Sequence, residues 1–163
     1  MAEIRDQLVK HIDEAYAMEQ NVLRMLDGMI QTTDDPGIID QLEHHKMETQ
    51  RHSDLMEKRL TAHDATPSMV KQATGMLQAL AKMPLDMVRG EKAGRNARDG
   101  FATEHLEIAS YELLKRVARR AGDEETATAC DEIIGEEQAF AATIAENWDR
   151  FVELSLQEEG ITV

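Results

Sequence analysis

Apolar residues recur at every third or fourth position along four long stretches of the chain, which is the spacing of one face of an α-helix. In the first stretch this face contains Leu8, Ile12, Ala15, Val22, Leu26 and Met29. The four stretches predict helices over about 3–31, 37–63, 96–121 and 124–157. With three prolines and nine glycines in the whole chain, these helices have few interruptions.

Two short turns and one long connection separate the predicted helices. Residues 32–37 read TTDDPG, a turn in which proline is placed to open the second helix. Gly122 suits a left-handed end of the third helix, and Asp123 can cap the fourth. Residues 64–95 contain two prolines and an amphipathic run, which predicts a long crossover carrying a short helix. Two helical hairpins joined in this way form an all-α four-helix bundle with ferritin-like connectivity.

Composition indicates a globular protein and limits its partners. The 163 residues are 42% hydrophobic and 31% charged, and we expect one domain over residues 1–163. No apolar run approaches the roughly 18 residues of a membrane span, and the start lacks a secretory pattern, so we expect a cytoplasmic protein without a membrane partner. A single cysteine, Cys130, fits a reducing compartment. The net charge of −14 favours cations over nucleic acid as partners.

Carboxylates interrupt the apolar face of every predicted helix. In the first helix Glu19 lies between Ala15 and Val22 on that face. The other faces carry His45, Glu48 and His52 in the second helix, Glu104 and Glu107 in the third, and Glu137 in the fourth. An ionised carboxylate in a protein core costs several kcal/mol unless it is paired or bound to a metal. These residues are therefore the main candidates for a functional site.

The distances from the two hairpin turns place these carboxylates at similar heights. Glu19 lies 15 residues before a turn centred near residue 34, and Glu48 lies 14 residues after it. Glu107 and Glu137 lie about 15 residues before and after the second turn, near residues 122–123. At about 1.5 Å per residue, the four side chains reach nearly the same level of a bundle. Glu104 follows one turn away, and the two histidines lie within about 6 Å of Glu48 along the axis.

A metal site is the interpretation that this layer favours. Most lysine and arginine side chains fall off the apolar faces, so they cannot neutralise the layer from within. Carboxylates combined with imidazole suit iron, manganese or zinc, and inward-facing glutamates are typical of dinuclear centres in helical bundles. The alternative is a partly solvated polar layer without metal.

Four short strings resemble the YciE/YciF-like branch of the ferritin-like superfamily, a group of bacterial, stress-associated helical bundles. They are YAMEQ at 16–20, HKMETQRH at 45–52, EHLEIASY at 104–111 and EE at 136–137. The resemblance covers roughly residues 8–155. It implies a di-iron-type centre holding two divalent metal ions, with iron expected first and manganese or zinc as alternatives. The implied ligands are Glu19, Glu48, Glu104, Glu107 and Glu137, with His45 or His52 as the nitrogen donor.

Two positions depart from the ferritin pattern. The second helix reads His45-x-x-Glu48 instead of Glu-x-x-His, and Phe140 stands three residues after Glu137, where a ligand is expected. The sequence therefore leaves three functions open. They are a redox-active di-metal protein that turns over peroxide or oxidises Fe²⁺, a protein that sequesters metal without turnover, and a structural bundle whose polar layer specifies pairing.

A homodimer is the expected assembly. The resemblance implies dimers, and the predicted crossover carries many apolar residues for a short connecting segment, namely Met69, Val70, Leu77, Leu80, Met83, Leu85 and Met87.

Overall fold

The computed structural model describes residues 3–68 and 92–162, and these residues form five helices and no strands. The helices are α1 (Ile4–Gln31), α2 (Pro36–Ala62), α3 (Ala93–Ala121), α4 (Glu124–Ala145) and α5 (Trp148–Glu158). None of them is long and apolar enough to cross a membrane.

Local capping sets both hairpin turns. Asp35 caps α2, accepting a hydrogen bond from the Ile38 backbone N–H at 3.1 Å, with Pro36 as the first helical residue. Gly122 ends α3 in the left-handed conformation, with φ of 76°. Asp123 then caps α4 by accepting from the Thr126 backbone N–H at 3.0 Å. Both turns therefore lie where the sequence predicts them.

The helix predicted over about 124–157 is divided into α4 and α5, which corrects the sequence prediction. The side-chain amide of Asn147 donates to the Thr143 carbonyl at 2.7 Å, taking the acceptor that a continuous α-helix would offer to the Asn147 backbone. The Asn147 backbone N–H donates instead to Ile144, at 3.0 Å. The third helix also begins at Ala93, slightly before the predicted residue 96. The predicted short helix of the crossover and its methionine-rich surface lie outside the described residues.

The helices pack as two hairpins, α1 with α2 and α3 with α4. Contacts of α1 with α3 and of α2 with α4 join the hairpins, and α5 packs on α3. The core consists of two apolar clusters. One includes Leu8, Ile12, Met18, Met56, Leu60, Tyr111, Leu114 and Ile133. The other includes Val22, Leu26, Met29, Leu42, Ala97, Phe140, Ile144 and Phe151.

A buried polar layer occupies the positions between the two clusters. In α1, Glu19 stands between Met18 of one cluster and Val22 of the other, and Glu137 stands between Ile134 and Phe140 in α4 in the same way. This arrangement repeats in α2 and α3. The core is therefore split across the middle of the bundle by the residues that the sequence marks as candidate ligands.

Candidate metal centre

Six of the seven predicted site residues have fully buried side chains in the polar layer. They are Glu19, His45, His52, Glu104, Glu107 and Glu137. Glu48 differs, because its side chain is 24% exposed and lies at the edge of the layer. All four long helices contribute to the buried set.

The first ligand group joins Glu19 of α1, His52 of α2 and Glu137 of α4. Nδ1 of His52 lies 2.9 Å from Oε1 of Glu137 and 3.8 Å from Oε1 of Glu19. One ligand atom from each of the three residues lies within 4.8 Å of the others. Three side chains from three helices thus converge on one point.

The second ligand group joins His45 of α2, Glu104 of α3 and, again, Glu137. Nε2 of His45 lies 3.3 Å from Oε2 of Glu104 and 3.5 Å from Oε2 of Glu137. Glu137 therefore points one carboxylate oxygen towards each histidine and belongs to both groups. A carboxylate shared in this way has the position of a bridging ligand between two metal ions.

The remaining ring nitrogen of each histidine contacts a carboxylate outside the two groups. Nδ1 of His45 lies 3.2 Å from Oε2 of Glu48, and Nε2 of His52 lies 2.6 Å from Oε2 of Glu136. Glu136 is in turn paired with Arg51. An N–H donated to such a carboxylate fixes the orientation of the ring, as in histidines that bind metals, and the inner nitrogen can act as a ligand in its deprotonated form. The structure thus places Glu48 as the partner of His45 rather than in either ligand group.

Tyr111 and Phe140 complete the surroundings of the ligand groups. The Tyr111 hydroxyl donates a hydrogen bond to Oε1 of Glu19. The Phe140 ring stacks on the His45 imidazole, with ring centroids 3.8 Å apart and an angle of 10° between the planes. The residue that departs from the ferritin pattern in sequence therefore packs against one of the candidate ligands.

Sequence reasoning missed Glu136 and Phe140 as members of the site. Glu136 lies beside the apolar face of its helix, where a carboxylate normally faces water. Its role depends on α2 and α4 being adjacent, with Arg51 and His52 opposite it. The sequence signals that point to Glu136 are the string EE at 136–137 and the adjacent Arg51 and His52 of α2.

Burial shifts the pKa values of the carboxylates upwards. It raises the pKa of Glu19 to about 8, with the nearby Glu137 charge adding to the effect and His52 opposing it. Burial and the neighbouring carboxylates also raise the pKa of Glu104 and of Glu107 well above the usual range. Glu137 is the exception, because its contacts with His52 and Glu104 outweigh burial and lower its pKa. The layer thus holds more carboxylates than it can ionise unaided.

The two histidines respond to burial in opposite directions. Burial lowers the pKa of His45 below its usual value, despite the nearby Glu137 and Glu48. Burial also opposes the charged form of His52, but the carboxylates of Glu137, Glu19 and Glu136 raise its pKa to about 9. His45 is therefore held as a neutral imidazole, the form that binds metal ions.

Nine buried side-chain atoms of the layer make no hydrogen bond of good geometry with the described residues. They are Oε2 of Glu19, Nε2 of His45, Nδ1 of His52, and both carboxylate oxygens of Glu104, Glu107 and Glu137. Buried polar atoms are normally satisfied, because leaving them unpaired is costly. Every one of these atoms is a metal ligand by type, and the mixture of oxygen and imidazole donors suits iron, manganese or zinc. The residues present thus fit two metal ions.

The chain belongs to the family described as "Domain of unknown function (DUF892)", whose model matches residues 3–157. A structure from Xanthomonas campestris pv. campestris is 28% identical, with a TM-score of 0.80, and the match covers 98% of this chain and 100% of that one. The Escherichia coli stress protein YciF is 18% identical, with a TM-score of 0.82 and coverage of 94% and 99%.

A third structure shares the same fold. It is a ferritin-like, diiron-carboxylate protein from Bacillus anthracis, 14% identical, with a TM-score of 0.74 and coverage of 91% of this chain and 99% of that one. Together these matches confirm the predicted ferritin-like bundle and the predicted resemblance to the YciF-like branch.

Proposed function

We propose that this DUF892 family member binds two divalent metal ions in a carboxylate-bridged centre, with iron as the first candidate and manganese or zinc as alternatives. The observation that carries the proposal is that one fully buried carboxylate, Glu137, is shared by two three-residue ligand groups. The diiron-carboxylate protein of Bacillus anthracis, which has the same fold, supports a centre of this kind.

The chain's own residues divide into ligands and supports. Glu19 and His52 would hold one ion, His45 and Glu104 would hold the other, and Glu137 would contact both. Glu107 is fully buried in the same layer, and its charge adds to the raised pKa of Glu104, so we propose it as a further ligand. Glu48 and Glu136 orient the two histidines, and Tyr111 holds Glu19.

We propose further that the centre is redox-active and turns over peroxide or oxidises Fe²⁺. A bound pair of iron or manganese ions would supply the electron transfer for such a reaction. The protein's part is to bury the ligands, so that water is excluded, and to keep His45 neutral and His52 hydrogen-bonded through its outer nitrogen. The same ligands would also suit storage of metal without turnover, which is the alternative.

Metal analysis of protein purified without chelator tests the centre directly. We expect about two ions per chain in the wild type, fewer than half of that in Glu137→Gln, and no change in Glu132→Gln, an exposed residue of the same helix. If the wild type takes up no metal, even after anaerobic reconstitution with Fe²⁺, Mn²⁺ or Zn²⁺, both metal functions are refuted and the structural bundle remains as the function.

Turnover is tested separately, with metal-loaded protein. We expect peroxide consumption or Fe²⁺ oxidation above the rate of the free metal in the wild type, and the free-metal rate in Glu137→Gln. Full metal loading with no rate above the free metal would favour sequestration.

The assembly and location are also part of the proposal. We propose a cytoplasmic homodimer, supported by the apolar residues of the crossover sequence, among them Met69, Leu77 and Met83. Light scattering at micromolar concentration should give twice the chain mass, and a particle of 18.4 kDa would refute the dimer.

A further inference from the structure

A pocket of about 300 Å³ lies at the end of the bundle where α1 and α4 end and α2 and α3 begin. Side chains from all five helices line it, and its wall is mainly apolar, with Leu42, Phe140, Ile144, Phe151 and Leu154 among the lining residues. The volume is at the lower end of the range for small-molecule sites in proteins. It is too small for a helix of a partner protein.

The inner wall of the pocket adjoins the candidate metal centre. Phe140 lines the pocket and stacks on His45 at a centroid distance of 3.8 Å. The pocket is therefore separated from a candidate ligand by a single aromatic ring. None of the lining residues that the structure describes belongs to the two ligand groups, so it is a different site.

Gly100 of α3 keeps part of the pocket wall free of a side chain. A Cβ added there would lie 3.4 Å from Cδ1 of Ile144 and 3.9 Å from Cε of Met29, which are ordinary contacts. Glycine inside a helix is destabilising relative to alanine. Since alanine would fit, the glycine adds room to the pocket rather than relieving a clash.

The charged residues at the pocket are acidic. Among the described lining residues they are Asp34, Asp35 and Glu158. Arg150 pairs with Asp35 at 2.6 Å and offsets its charge, so Asp34 and Glu158 form the acidic rim of the pocket. Glu158 also accepts hydrogen bonds from the backbone at the start of α3. With a formal charge of −14 on the whole chain, the surroundings repel anions.

We propose that this pocket binds a small apolar organic molecule that carries no negative charge. The apolar wall supplies the binding free energy, the volume limits the ligand to a compact molecule, and the acidic rim excludes fatty acids and other anionic amphiphiles. The proposal does not depend on the metal centre, since the pocket is complete without it.

Two fluorescent probes with similar aromatic bodies test the proposal on the full chain. N-phenyl-1-naphthylamine is uncharged, whereas 8-anilinonaphthalene-1-sulfonate adds a sulfonate. We expect saturable binding of the uncharged probe at about one molecule per chain, and at least tenfold weaker binding of the sulfonate. Trp148, the single tryptophan, lies 6.2 Å from Phe151 between ring centroids, so bound probe should also quench its emission.

Variants of the lining residues test whether the probe binds in the pocket. Leu154→Gln makes the wall polar and Ala97→Leu fills the space, so each should weaken binding of the uncharged probe at least fivefold. Val152→Gln is the matched control on α5, because Val152 is 54% exposed and lies outside the pocket. If Ala97→Leu fails to fold, Leu154→Gln decides the question. No saturable binding by the wild type, equal binding of both probes, or wild-type binding by the folded pocket variants would overturn the proposal.

Discussion

Removal of metal from the proposed centre should lower the melting temperature at pH 7 and make stability fall as pH rises. Without bound cations, the fully buried carboxylates of Glu19, Glu104, Glu107 and Glu137 face one another in the same layer. Their burial and mutual repulsion favour the protonated forms. The folded chain then binds more protons than the unfolded chain.

The direction of the pH effect follows from the individual pKa values. For Glu19 the pKa rises from 4.5 in the unfolded chain to about 8 in the fold, so its contribution to stability falls as pH rises between these values. Glu104 and Glu107 act in the same direction. The pKa of His52 rises from 6.5 to about 9, so its stabilising contribution is complete below pH 6.5 and is lost as pH rises through 9.

Two groups act in the opposite direction. The lowered pKa of Glu137 adds stability above its unfolded value of 4.5, and that gain is lost as pH falls. Burial keeps His45 neutral in the fold, which costs stability at low pH, where the unfolded chain would protonate it. That cost disappears as pH rises through 6.5. Since three carboxylates have raised pKa values, we expect the stability of the metal-free protein to fall overall as pH rises from 5 to 8.

The magnitude is large for a protein of this size. At about 1.4 kcal/mol per pKa unit, the raised pKa of Glu19 alone lowers the free energy of unfolding of the apo protein by about 5 kcal/mol between pH 4.5 and 8. This is an upper bound, because water entry would relax the site. Two metal ions, each at a hundredfold excess over Kd, would add about 5 kcal/mol to the holo form by mass action. For 163 residues this corresponds to a Tm difference of roughly 10–20 °C.

Thermal melts followed by circular dichroism at pH 5, 6, 7 and 8 provide the assay, with chelated and metal-reloaded samples compared at each pH. Glu137→Gln should narrow the gap between the two samples, because it removes the ligand shared by both groups and so weakens metal binding. Glu132→Gln, on the exposed side of the same helix, should keep the full gap. Chelated and loaded samples that melt together at every pH would refute the reasoning.

Three further substitutions test other parts of the structure. Asp123→Ala removes the α4 cap and the partner of Arg59, and should cost about 1–2 kcal/mol in urea melts at pH 7. Because hydrogen bonds from Thr126 and His63 outweigh burial and hold the pKa of Asp123 well below its usual range, that difference should begin to shrink as pH falls below about 4, and a constant difference at lower pH would contradict this. Ile133→Ala in the core should cost about 2–5 kcal/mol in the same melts. Glu48→Gln should weaken binding of one metal ion about 10- to 100-fold in competition titrations, because Glu48 orients His45. Equal metal affinity of the variant and the wild type would contradict that role.

The hydrophobic pattern was sufficient to predict the long helices and the height of the polar layer. Burial is periodic in a helix, so a carboxylate such as Glu19 or Glu137 in an apolar row is visible in the sequence. Turn chemistry placed Pro36, Gly122 and Asp123 correctly for the same local reason. The break at Asn147 was not predictable, because asparagine in a helix either faces water or bonds to the backbone, and the surrounding contacts decide between the two.

The division between ligands and supports also required the structure. In α2, His45, Thr49 and His52 follow steps of four and three and are fully buried, whereas Glu48 lies one position away at the edge. Periodicity cannot separate Glu48 from Thr49, because both lie near the centre of the same face. The packing of α2 against its neighbours decides which of the two is buried.

The arrangement of the ligand groups gives the metal a structural role as well as a chemical one. Each group combines side chains from both hairpins: Glu19 or His45 from the first, and Glu137 from the second. At this level the apolar core is interrupted, so hydrophobic contacts hold the hairpins together only above and below the layer. Bound cations would replace the missing attraction with bonds that cross the hairpin interface, whereas the unliganded carboxylates repel across it. The stability of hairpin docking is therefore the property most directly coupled to metal occupancy.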